Sequence, residues 1–184
     1  MTEETLAAGR YTLPAIILHW LMAVLILAMF GIGWYMVDLP KGPDRHFFFS
    51  LHKSLGLTVA ALALLRLVWR IGHPPPPLPE KVVQWKRTAA GATHILLYFF
   101  MFLQPISGYV SSSFSGYKTR WWGIPLPQWG WKDPPLNELF TDIHVASSVF
   151  LIGLILLHVI GALTHLLVER DGVFQRMWPW GSGS

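Results

Sequence analysis

The chain has 184 residues, enough for one domain, with 53% apolar and only 13% charged residues, and its mean hydropathy is +0.43. That charged share is about half of what soluble domains carry, so the composition suits lipid better than water. The absence of cysteine excludes disulfides, thiolate metal sites, iron–sulfur clusters and covalent haem attachment, and the net charge of +4, scattered among loops, leaves no nucleic-acid footprint.

The opening MTEETLAAGRYTLP is acidic and is followed by an apolar run too long for a secretory signal, so that run reads as a membrane span. Between Arg10 and Asp38 lie 27 residues without Asp, Glu, Lys or Arg. A spanning helix needs about 20, which predicts a first span over residues 13–37. DLPKGPDRH follows as a short Pro/Gly loop. The second span, 47–70, is interrupted by Lys53 and Arg66, but both fall near its ends, where long side chains reach back to the headgroups. GHPPPPLPEKVVQWKR is a stiff linker that cannot continue a helix.

Thirty uncharged residues between Arg87 and Lys118 predict a third span over 89–112, with a kink at Pro105 and a gap lined by Ser107 or Gly108. The long connection SFSGYKTRWWGIPLPQWGWKDPPLNE is crowded with Trp and Pro, as befits a segment lying on the headgroup layer. Twenty-six uncharged residues between Asp142 and Glu169 predict the fourth span, 139–167. The closing GSGS, residues 181–184, has the composition of a cloning remnant. The expected fold is all-α: one integral membrane four-helix bundle over residues 1–180.

An even helix count puts both termini on one side. With the termini in the cytoplasm, eight Lys and Arg lie inside against six outside, and the short basic loop between the second and third spans also belongs inside.

The eight histidines gain meaning from depth. His19 lies roughly 9 Å inside one edge of the bilayer and His52 roughly 7–8 Å inside the other, at 1.5 Å per residue. On the fourth helix, His144 and His158 are 14 residues apart, about 21 Å of rise and some 40° of rotation, so they share a face. His144 matches the depth of His52, and His158 that of His19. Two layers result, each with imidazoles from two helices, and two nitrogens on opposite faces of a macrocycle are what a haem iron takes. Gly56, Ser148, Gly161 and Ala162 are small neighbours that suit a planar cofactor. A proton relay or a transition-metal transporter would also use intramembrane histidines. His94 shares the depth of His19 and His158, so depth alone leaves it a rival ligand. His46 and His73 fall in loops, and His165 lies at the headgroup boundary, suited to a propionate or a quinone.

ILHWLMAVLI, SLHKSLG, LLRLVWR, THILLYFFMFLQPISGY and DIHVASSVFLIGLILLHVIGALTH occur in the order seen in the bacterial cytochrome b561 family, and the chain resembles that family from about Arg10 to Trp178. The family is related to the cytochrome b subunits of nickel–iron hydrogenases and formate dehydrogenase. The resemblance implies two haems b in the bacterial inner membrane, with His52 and His144 on the periplasmic one and His19 and His158 on the cytoplasmic one. It sets His94 aside and places Arg66 and Arg70 near the cytoplasmic haem, where a guanidinium can pair with propionates. In size and pattern the chain is similar to the family's small superoxide:ubiquinone oxidoreductases.

Bis-imidazole ligation leaves no open position, which favours electron transfer over oxygen binding. No flavin or nicotinamide motif is present, so the electrons must come from a small donor, a quinol or a partner protein. In the oxidoreductase reading, superoxide is drawn to the periplasmic face by Lys53, Lys118, Arg120 and Lys132, with Asp133, Glu138 and Asp142 diluting that field, and ubiquinone accepts the electrons. The alternative is a non-enzymatic carrier between quinone and a periplasmic redox partner, docked on the Trp-rich loop.

Overall fold

The computed structural model describes residues 9–180; the acidic opening and the closing GSGS lie outside them. Four long helices follow one another: α1 (Leu13–Asp38), α2 (Pro43–Gly72), α3 (Gln84–Phe114) and α4 (Pro134–Thr164). Each is long and apolar enough to cross a bilayer. The protein is therefore the all-α membrane bundle that its charge-free runs predict.

Three helices begin earlier than the composition suggested, and local chemistry explains two of them. Pro43 opens α2 with its φ already helical, and Asp44 complements the positive helix end. The predicted DLPKGPDRH loop thus shrinks, and His46, expected in a loop, lies on the first turn of α2. Asp133 caps α4, accepting the Leu136 amide at 3.1 Å, with a proline at the first turn. α3 begins at Gln84, straight after the proline-rich linker, and continues through Pro105 to Phe114.

Packing runs in a series: α1 on α2, α2 on α3 and, most extensively, α3 on α4. Among the described residues α4 has no comparable backbone contact with α1 or α2. The interior is small and partly hydroxylic, with Ser54, Ser107, Ser112, Ser113 and Ser147 buried, while large apolar side chains such as Leu13 (65% exposed) and Ile95 (71%) face outward. Small residues let membrane helices approach closely, and their hydroxyls find carbonyl partners across or along the helices.

The two ends of the bundle differ. One carries both ends of the described chain and the 73–83 linker. There the Trp20 indole donates to the Met177 carbonyl, the Tyr11 amide to that of Arg176, and Arg10 to that of Trp178. The other end carries the Trp-rich loop, within which a two-residue hairpin forms that composition did not announce: β1 (Arg120–Trp121) pairs antiparallel with β2 (Ile124–Pro125). Its turn, Trp122–Gly123, has φ of 50° and 88°, the left-handed pair of a tight hairpin turn, which glycine adopts freely. The hairpin is moored to α2. Ser54 accepts the Trp122 amide at 3.2 Å, and both Trp121 and Trp122 donate their indole N–H to the Thr58 hydroxyl at 3.1 and 3.0 Å.

Candidate functional site: two imidazole pairs across the bundle

α2 and α4 carry His52 and His144 into the loop end of the interior, where their ring centroids lie 6.1 Å apart with planes at 80°. α1 and α4 carry His19 and His158 into the terminal end, 6.0 Å apart at 68°. Each pair bridges two helices that have no extensive backbone contact among the described residues. A metal–imidazole bond is about 2 Å, and the ring centroid lies roughly 1.1 Å beyond the nitrogen, so imidazoles opposed on one iron sit about 6 Å apart. Both pairs match that spacing. The structure therefore brings together the two histidine layers that depth matching anticipated.

His94 also reaches the terminal layer, with its centroid 5.3 Å from that of His158. It comes from α3, which packs directly on α4. No three of these interior histidines bring their nitrogens together as a metal cage does; among the described residues the one converging metal-ligand group is His165, Glu169 and Asp171. The interior thus fits a planar group gripped from two sides better than a bare ion.

The segment Gln104–Gly108 of α3 forms a cradle for His144. The His144 Nδ1 lies 2.9 Å from the Gln104 carbonyl oxygen. A carbonyl only accepts, so Nδ1 carries the proton and the Nε2 lone pair is left for a metal. The Gln104 side-chain amide donates to the His144 carbonyl at 3.0 Å and to the Ser147 hydroxyl at 2.8 Å. A Cβ at Gly108 would stand 3.1 Å from the His144 Cε1 and Nδ1, so glycine makes room for the ring. Hydrogen bonds between membrane helices average about 0.6 kcal/mol, so this set matters more for where the ring points than for stability. On the opposite side a Cβ at Gly33 would lie 3.3 Å from the His52 Cε1, and the His52 Nδ1 is buried without a partner among the described residues.

Other predicted residues fall into place unevenly. Gly56 faces Met29 of α1, at 3.4 Å from a built Cβ, rather than an imidazole. Ser148 donates to the carbonyl of Val145 on its own helix, whereas its neighbour Ser147 is the buried residue at the α3 interface. Gly161 is open, with nothing within 4 Å of a built Cβ. Arg66 donates through Nε to the Tyr98 hydroxyl at 3.2 Å, while its Nη1 is buried without a partner, a guanidinium arm available to an anionic group. Arg66 and Arg70 line one small cavity with Tyr11, Trp69, His73 and Tyr98; at about 20 Å³ it has room for a water and no more. Lys53 stands half-buried beside His52, and no carboxylate pairs with it, Lys118, Arg120 or Lys132 among the described residues. Asp133, expected to dilute that field, is engaged in capping α4.

His165, expected at the headgroup boundary and suited to a propionate or a quinone, sits in an ion-pair network beyond the end of α4. α4 ends in a π turn, His165–Glu169, and Arg170 turns the chain back through the left-handed region at φ 48°. The His165 Nδ1 then lies 2.8 Å from the Glu169 carboxylate and 2.7 Å from that of Asp171, with Lys86 paired to Glu169. Burial would raise the Asp171 carboxyl, but the donated Val173 amide, the His165 ring and the Lys81 charge outweigh it and hold it below its ordinary value. Glu169, Asp171, Lys81 and Lys86 line a cavity of about 220 Å³ at this end.

The family model for prokaryotic cytochrome b561 matches residues 10–180. Cytochrome b561 homolog 2 of Escherichia coli (strain K12) is 30% identical over 91% of this chain and 90% of its own length. Cytochrome b561 homolog 1 of the same organism is 26% identical over 93% of this chain and 98% of its own. A protein named probable superoxide oxidase CybB, from Yersinia pestis, is 25% identical over 92% and 96%. With four spanning helices and a match across nearly its whole described length, the chain belongs to the prokaryotic cytochrome b561 family, haem-b-binding electron-transfer proteins of the bacterial membrane.

Proposed function

We propose that the chain binds two haems b, one between His52 and His144 and one between His19 and His158, and carries electrons from superoxide to ubiquinone. The observation that carries the reading is the near-equal spacing of the two imidazole pairs, 6.1 and 6.0 Å. The haems supply reversible one-electron chemistry at iron.

The protein's own residues do the rest. The four histidines would hold the two haems, one pair to each, and imidazole ligation of this kind would favour electron transfer over oxygen binding. Arg66, whose Nη1 has no partner among the described residues, and Arg70 offer cations to the propionates at the terminal layer. In this reading the termini and the 73–83 linker are cytoplasmic, so the loop layer faces the periplasm. Lys53, beside His52 and without a carboxylate partner among the described residues, attracts the superoxide anion there. Two superoxide anions each lose one electron to become dioxygen, and the two electrons with two protons convert ubiquinone to ubiquinol. The relative named for superoxide oxidation supports this choice of donor.

The test measures haem per chain in the purified protein, then follows haem reduction under a superoxide generator with and without a ubiquinone analogue. Two haems per chain, rapid reduction by superoxide and reoxidation by the quinone are expected. Slow reduction that superoxide dismutase does not suppress would favour the non-enzymatic carrier. Colourless protein would remove the haem reading altogether.

A further inference from the structure

We propose that Gln104 is a positioning residue for His144, so that the loop-end haem has one fixed and one free axial imidazole; the inference rests on the two-haem reading. Gln104 holds His144 at both ends. Its side-chain amide donates to the His144 backbone carbonyl and to Ser147, and its own backbone carbonyl accepts the Nδ1 proton of the His144 ring. Ser107 closes the cradle, with its hydroxyl 3.3 Å from the same Nδ1 and donating to the Leu103 carbonyl at 2.7 Å. Gly108 leaves the ring its space. Facing it, His52 has no partner for its own buried Nδ1 among the described residues. The two imidazoles of this layer are therefore chemically unequal.

A backbone carbonyl accepting Nδ1–H makes an imidazole a stronger donor to its metal and fixes the plane of the ring. Stronger donation favours the oxidised metal and lowers its potential. The rings stand at 80° in this structure; the plane in which His144 is held bears on the angle between them, and the low-field resonance of a low-spin bis-imidazole iron responds to that angle. Gln104 thus acts on the loop-end haem through His144, without a contact of its own.

The experiment uses the full chain in detergent, with Gln104→Leu, Gly108→Ala and Ser147→Ala compared with the unaltered protein. Haem per chain, low-temperature electron paramagnetic resonance and potentiometric titration are the readouts. Gln104→Leu removes both amide donors, and Gly108→Ala sets a methyl against the ring. Each is expected to move one of the two low-field resonances and to raise one of the two midpoint potentials, leaving the other haem unchanged. Ser147→Ala removes the hydroxyl that accepts from Gln104 and donates to the His144 carbonyl, keeps the Gln104 bond to that carbonyl, and is expected to give a smaller shift of the same sign. Repeating Gln104→Leu in a His158→Ala background assigns the shift to the loop-end haem. Two haems with both resonances and potentials unchanged, or both haems shifting together, would overturn the inference. Fewer than two haems in the unaltered protein would overturn the two-haem reading instead.

Discussion

His144 and His158 stand on one face of α4, and each meets a partner from a different helix, His52 on α2 and His19 on α1. Because each pair is closed by its own helix, the two layers should fail independently. His144→Ala and His158→Ala are each expected to lose one haem of two and keep the other, whereas His94→Ala should keep both; pyridine haemochrome absorbance per chain measures this. Loss of both haems from either single variant would mean that the layers are not separate. The pairing was legible in the sequence because a helix rises 1.5 Å per residue and lipid fixes the depth at which each helix enters. The cradle beneath His144 was not, because a backbone carbonyl has no residue identity. The letters suggest a kink at Pro105 and a gap lined by Ser107 or Gly108, but not that the His144 ring would lie against Gly108.

At the scale of an element, the charge-free runs revealed the helices and hid their ends. Lipid excludes charge, so 26 to 30 uncharged residues mark three of the four spans, α2 carrying Lys53 and Arg66, but Pro43, Asp133 and the π turn extend the helices by local bonding that hydropathy does not sense. The turn after α4 also redirected His165. Asp171 returns to it only because Arg170 adopts a left-handed conformation, which residue type rarely foretells. This corner yields a pH prediction. The Asp171 carboxyl is held below its ordinary value of 3.8, so its contribution is complete above that pH and is lost as pH falls through the lower folded value. Amide exchange protection of residues 165–177 should stay level from neutral pH to about 4 and fall below it. Asp171→Asn should show the loosened pattern already at neutral pH; protection equal to that of the unaltered chain would discount the network.

Across the whole molecule the two layers form a series from one end of the bundle to the other, and order matters in a series. His158→Ala is expected to keep fast reduction by superoxide at the loop-end haem while ubiquinol formation falls to background. Stopped-flow absorbance and quinol extraction read the two steps separately. Retained ubiquinol formation would place the quinone at the loop end. The connection between chain ends also reaches beyond stability. The Tyr11 amide bonds the Arg176 carbonyl at 3.3 Å, while Arg10 and Trp20 reach the carbonyls of Trp178 and Met177, so the start and finish of the fold already touch. Trp20 is moreover the neighbour of His19, their rings 5.4 Å apart. A few residues could join these ends, and new ends could open in the proline-rich linker at the same face without inverting any helix. The sequence order of the four helices is in that sense a circle cut at one place, and the same bundle suits circular permutation.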